Sequence, residues 1–249
     1  MPENIAFIVP TLQSRPEMLD RCLQSLLATS CQIYVISDSP RRLRGGSFES
    51  TRVSWLSFQG SLTESINFAV SRLPEDITHF NWIGDDDYLL SEAWEKSAKD
   101  IENYDLIVGG CALISSHTND NRKTIPKSWR LSKFSMTLWA SPIGQPAVLM
   151  GKSFFKSLGG LDTSLRLAFD QEIFTRFIFS GARVKITSEV TAVYSIHETT
   201  LSEENWVDSL REAAQVRERF GSKLMSPIRL ATEWIRLWVV RILRNLQKS

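Results

Sequence analysis

Cysteine is scarce, net charge nearly absent and long apolar runs missing from this 249-residue chain. The three cysteines, Cys22, Cys31 and Cys111, lie far apart without CxxC spacing. That excludes a disulfide framework or a thiolate cage and predicts reduced, buried side chains. Lysine and arginine number 29 against 28 acids, so no bulk field pulls the chain toward nucleic acid and any basic site is local. The run Ile5 to Val9 is too short for the core of a secretory signal. Near the C-terminus, Arg236 and Arg241 interrupt the apolar residues before the ~20 that a membrane-spanning helix needs can accumulate. The expectation is a cytoplasmic protein. Repeats and low-complexity stretches are also missing. What is present is a hydrophobic fraction of 43%, enough for a sizeable core in one main domain with an appendage.

Ile5 to Val9 is a continuous apolar run ending at Pro10, as suits a strand buried on both faces of a parallel sheet. Met18, Leu19, Cys22, Leu23, Leu26 and Leu27 then recur at helical spacing. Ile33 to Ser37 and Val53 to Phe58 read as the next strands, and Leu62, Ile66, Ala69, Val70 and Leu73 as a helix stopped by Pro74. His79 to Ile83 is a fourth strand, running into Gly84-Asp85-Asp86-Asp87. A helix from Glu92 to Ile101 and a strand from Leu106 to Ile114 follow. Ser115 to Lys127 reads as a loop, and the chain beyond Ser202 as helical. Alternating strands and helices predict an open α/β sheet, whose ligands sit at the carboxyl ends of the strands. Asp38 and Asp85 to Asp87 lie at such ends.

Three consecutive aspartates repel one another unless a positive charge sits among them, and hard divalent cations take carboxylate and phosphate oxygens. Mn²⁺ or Mg²⁺ bridging to a diphosphate answers this; an acidic turn that caps the next helix is the alternative.

The order of motifs resembles glycosyltransferase family 2, inverting enzymes of the GT-A fold, over roughly residues 4 to 202. The resemblance rests on Ile8-Val9-Pro10-Thr11, Val35-Ile36-Ser37-Asp38-Ser39, Gly60-Ser61-Leu62 through Asn67, and Trp82-Ile83-Gly84-Asp85-Asp86-Asp87. Gly159-Gly160-Leu161-Asp162, Ala168-Phe169-Asp170-Gln171-Glu172 up to Arg176, and Tyr194-Ser195-Ile196-His197-Glu198 complete it. It implies a Rossmann-like α/β catalytic domain at 1–202 and a helical extension at 203–249. It also implies transfer of a single sugar from a UDP- or dTDP-linked donor, in surface polysaccharide or glycolipid synthesis.

By the same resemblance Asp170 is the general base, and Pro10, Thr11, Asp38, Asn67, Asp85, Asp86 and Arg176 meet the donor nucleotide. Asp85, Asp87 and His197 hold the metal, and Trp139 and Gln145 meet the acceptor. Two departures stand out: Phe169 replaces the glutamate of the family's Glu-Asp motif, and Asp38 lacks an adjacent acid. They are the best evidence for a rival reading, a sugar-nucleotide-binding scaffold with a decayed site, against which stand the acids for metal and base, all present. A pyrophosphorylase is disfavoured because Pro10-Thr11-Leu12-Gln13-Ser14 contains no glycine.

Ile228, Ala231, Ile235, Trp238, Ile242 and Leu246 follow helical spacing among Arg229, Arg236, Arg241, Arg244 and Lys248. This basic amphipathic pattern suits an anionic membrane surface, and thereby a lipid-linked acceptor. Packing on the catalytic domain and pairing in a homodimer are the other uses of such a stripe.

Overall fold

The computed structural model describes residues 4–39, 43–115, 122–139, 141–197 and 205–221. The first strand, β1 (Ile5–Pro10), pairs in parallel with β2 (Gln32–Ser37) on one side and β4 (His79–Trp82) on the other. Its side chains alternate between two cores: Ala6 and Ile8 enter one, Ile5, Phe7 and Val9 the other. That double burial is why the run is apolar throughout rather than every second residue. Beyond β2 lies β3 (Val53–Ser57) at the edge.

On the other side of β4 the sheet continues through β8 (Val148–Gly151), β6 (Leu106–Ser115), β9 (Val184–Ile196) and β5 (Tyr88–Leu89). β8 runs antiparallel to both β4 and β6, whereas β9 is parallel to β6. The chain therefore winds from β1 outward to β3 and returns to β4 on the opposite side. This makes the carboxyl ends of β1 and β4 a topological switch point, where open α/β sheets leave a crevice.

One face is covered by α1 (Pro16–Leu27) and α3 (Ser91–Ser97), the other by α2 (Leu62–Arg72), α5 (Lys152–Ser157) and α6 (Phe169–Phe179). A capping box starts α2: the Ser61 side chain accepts from the Glu64 backbone N–H, and the Glu64 carboxylate accepts from that of Ser61. A short helix, α4 (Lys133–Leu138), precedes β8.

The stretch expected as a loop after β6 contains a strand, β7 (Arg122–Thr124), antiparallel to β6. All three of its residues are exposed, so no apolar alternation marks it. The last described helix, α7 (Trp206–Phe220), buries Ala213 and Val216 in the same core as α6. Ala213 and Val216, beyond the expected boundary at 202, thus share a core with α6. The basic amphipathic pattern from Ile228 onward lies outside the described residues.

Cys22, Cys31 and Cys111 are free and buried, and burial pushes the Cys31 thiol to about 11 and that of Cys111 to about 12. Among the described residues no helix is long and apolar enough to cross a membrane.

Candidate active site

The switch point is closed by a hydrogen bond. Thr11, immediately after β1, donates its hydroxyl to Asp85 Oδ2 at 2.6 Å. Asp85 and Asp87 are 5% and 2% exposed. Burial raises the carboxyl of Asp85, against the Thr11 hydroxyl and the Arg15 guanidinium, which lower it. Burial also raises Asp87 well above the usual carboxylate range, and the charge of Asp86 adds to this.

The three acids have different partners. Asp85 Oδ1 accepts from Arg15 Nη2 at 2.6 Å, and Asp86 Oδ2 lies 3.1 Å from Arg15 Nη1 and 2.6 Å from His197 Nε2. Asp87 turns inward instead, and its Oδ1 accepts from the Ser195 backbone N–H at 2.8 Å. Of the residues expected to hold a metal, the structure therefore brings Asp85 and His197 together through Arg15. It puts Asp86 beside His197 and uses Asp87 to fasten the turn to β9. Arg21 of α1 adds a second tie, donating to the Asp86 carbonyl at 2.7 Å. A Cβ at Gly84 would stand 2.6 Å from Asp86 Oδ1 and 3.1 Å from Asp87 Oδ2. Glycine here leaves room for both carboxylates to lean over this turn.

Asp170 sits in the first turn of α6, with its Oδ1 accepting from the Gln171 backbone N–H at 2.7 Å. Burial lifts its carboxyl to about 6, against the backbone N–H groups that pull it down. It lines a cavity of about 620 Å³ with Gln145, Tyr194, Trp129, Arg130 and Lys127. Gln145 Nε2 donates to the Trp82 carbonyl, and it lies 3.2 Å from Asn81 Oδ1. One cavity wall is therefore bonded to the strand that ends in the acid turn. Trp139 is 45% exposed and lies outside the cavity lining, its ring 5.9 Å from the Arg130 guanidinium that also faces Trp129.

The loop before Asp170 is held from α7, a connection sequence reasoning missed. Glu212 Oε2 accepts from the backbone N–H groups of Arg166, Leu167 and Ala168 at 3.2, 2.7 and 3.0 Å. Phe169, where the resembling family has a glutamate, packs into the core with its ring 6.1 Å from that of Trp82.

Asn67 and Arg176, expected on the donor nucleotide, hydrogen-bond the Gly159-Gly160-Leu161 turn and its approach. Asn67 pairs with both backbone groups of Leu161, accepting at 2.8 Å and donating at 3.0 Å. Arg176 donates to the Leu158 and Gly160 carbonyls at 2.7 and 2.6 Å and pairs with Glu172 at 2.6 Å. Gly160 has φ +78°, and a Cβ there would lie 2.7 Å from Asn67 Oδ1. Gly160→Ala is expected to lower the unfolding free energy by about 2 kcal/mol. A lower urea midpoint at unchanged slope would report it.

Pro10 and Thr11 lie at the carboxyl end of β1, and Asp38 is exposed just past β2. Gln13 joins the two loops: its Nε2 donates to Ser37 Oγ at 3.1 Å, from a backbone at φ 57°. A positive φ in a residue other than glycine marks local strain.

No protein-family model and no curated protein matches the chain. Among solved structures, residues 1–349 of S. aureus TarS superpose with a TM-score of 0.58 at 17% identity, over 85% of this chain and 64% of that one. The fold is GT-A-like. The same piece of TarS in complex with UDP-GlcNAc gives 0.56 at 17% identity, over 85% and 66%. The mannosyltransferase PcManGT from Pyrobaculum calidifontis, in complex with GDP-Man and Mn²⁺, gives 0.57 at 14% identity, over 95% and 72%. This chain spans less than two thirds of the TarS piece first compared, and identities this low speak for fold alone.

Proposed function

We propose that the protein is an inverting glycosyltransferase moving one sugar from a nucleoside diphosphate donor to an acceptor hydroxyl. The observation that carries this is the placement of Asp170, an acid held near 6, in a cavity whose wall is bonded to the strand leading into the acid turn. An acid raised by burial and facing a cavity is the kind of group that general-base chemistry uses. Two of the structures that resemble this chain hold UDP-GlcNAc in one case and GDP-Man with Mn²⁺ in the other.

In this reading the acceptor O–H gives its proton to the Asp170 carboxylate as its oxygen bonds to the anomeric carbon. The bond from that carbon to the diphosphate oxygen breaks on the opposite face, and the electron pair leaves with the nucleoside diphosphate. Pro10, Thr11 and Asp38 border the nucleotide, and Gln145 with the Trp129–Arg130–Trp139 rim meets the acceptor. The oxygens of Asp85 and Asp86 and the His197 imidazole suit Mn²⁺ or Mg²⁺ by donor type. Bound there, the ion would supply positive charge to the departing diphosphate. The basic amphipathic C-terminal pattern would place the enzyme on an anionic membrane, beside a lipid-linked acceptor.

A panel of nucleotide sugars, scored for thermal stabilisation and for release of nucleoside diphosphate, tests the reading. At least one donor should raise the melting temperature, because a ligand of the folded state stabilises it by mass action, and should be hydrolysed slowly. Stabilisation without hydrolysis by any donor would favour the scaffold alternative suggested by Phe169. No stabilisation by any donor would reject nucleotide-sugar binding.

A further inference from the structure

We infer that Arg15 is the resident cation of the acid turn, and that a divalent ion enters the turn only by displacing it. The inference deepens the metal reading above and rests on it. Arg15 occupies the N-cap of α1, directly before Pro16, where Ser, Thr, Asp or Asn is favoured. It makes no side-chain cap hydrogen bond there. Its guanidinium instead reaches across to Asp85, Asp86 and His197, at 2.6, 3.1 and 2.7 Å.

Both oxygens of Asp85 are thereby engaged, Oδ2 by Thr11 and Oδ1 by Arg15. A metal ion on either oxygen of Asp85 has to share the carboxylate with the Arg15 guanidinium, and two cations on one carboxylate repel each other. The spacing agrees. Asp86 Oδ2 and His197 Nε2 are 2.6 Å apart, a hydrogen-bond distance. Two donors bound at right angles to one ion at about 2.1 Å would stand about 3.0 Å apart. Among the described residues no group of three acid, histidine or cysteine side chains is arranged to hold a metal. The turn is set for the guanidinium, and its donors must spread for an ion.

Displacement carries a penalty that a nucleoside diphosphate offsets, because the ligand brings negative charge for both the ion and the released guanidinium. Metal and nucleotide should then bind with positive coupling, and Arg15 should be its source. Mn²⁺ binding measured by calorimetry, alone and with UDP, on the native chain, Arg15→Met and Arg15→Lys tests this. Arg15→Met should bind Mn²⁺ alone at least tenfold more tightly than the native chain, and UDP should improve that affinity less than it does for the native chain. Arg15→Lys, which keeps the charge, should stay close to native. A thermal scan provides a second readout: without metal Arg15→Met should melt below native, and Mn²⁺ should raise its melting temperature more than that of the native chain. If the native chain binds Mn²⁺ and Arg15→Met binds it no more tightly, the displacement model is overturned while the metal reading stands. If no chain binds Mn²⁺, with or without UDP, the metal reading falls and takes the displacement model with it.

Discussion

Asp170→Asn is expected to lower transfer by 10²–10⁴-fold, the range of a positioned general base, while leaving donor affinity nearly unchanged. The amide keeps the oxygen that accepts from the Gln171 backbone N–H, so the first turn of α6 should stay in place. It cannot take up the acceptor proton. The pH profile gives an independent check. The base acts when ionised, and burial lifts its carboxyl to about 6, so kcat/KM should fall about tenfold per pH unit below that value and level off above it.

Stability should move the other way. Between the ordinary value of 3.8 and about 6, the folded chain holds this proton and the unfolded chain does not. Folding stability is therefore lost as pH rises through that window. At neutral pH the ionised carboxylate costs about 3 kcal/mol, a cost that the asparagine variant escapes. Asp170→Asn should thus melt above the native chain at pH 7 and show little difference at pH 4. Near-native transfer by the variant would remove Asp170 from the mechanism, whatever its melting temperature did.

The parallel half of the fold is legible in the sequence because β1 is buried and reads as a continuous apolar run, and because the apolar stretch Ile33 to Ile36 and the wholly buried His79–Trp82 follow it at strand length. β7 leaves no such trace, being an exposed edge strand of Arg122, Lys123 and Thr124. The acid turn shows the same division. That three adjacent aspartates need a positive charge follows from electrostatics, and a metal ion is the answer local sequence offers. The structure adds Arg15, 70 residues before Asp85 along the chain, which only the β1/β4 pairing brings there. Asn67 and Arg176 present another case. Their spacing matches functional positions in a resembling family, yet their hydrogen bonds are closed on the Gly159-Gly160-Leu161 turn. Glu212 lies in the segment expected to be an appendage, so nothing local connects it to the loop before Asp170.

The acid turn should separate into binding and anchoring residues on substitution. Asp85→Ala and Asp86→Ala are each expected to weaken Mn²⁺-dependent UDP binding by about 100-fold or more. Both carboxylates face Arg15, and Asp86 also faces His197, so each removes a donor from the proposed ion. Asp87 is different. Its carboxylate is 2% exposed and accepts from the Ser195 backbone N–H. Asp87→Ala leaves that buried N–H unpaired, at a cost of about 1–3 kcal/mol. Asp87→Asn keeps the acceptor and removes a charge that burial and Asp86 both disfavour. The folded carboxyl stands above its ordinary value, so the native chain loses stability as pH rises past the usual carboxylate range, and the asparagine variant does not. At neutral pH Asp87→Asn should therefore melt at or above native, and Asp87→Ala below Asp87→Asn. UDP titrated with and without Mn²⁺, together with thermal scans of all four variants, separates the two roles. Equal UDP affinity with and without Mn²⁺ in the native chain would reject a metal-bridged diphosphate. An Asp87→Asn variant that loses Mn²⁺-dependent binding as fully as Asp85→Ala would instead make Asp87 a metal ligand rather than an anchor.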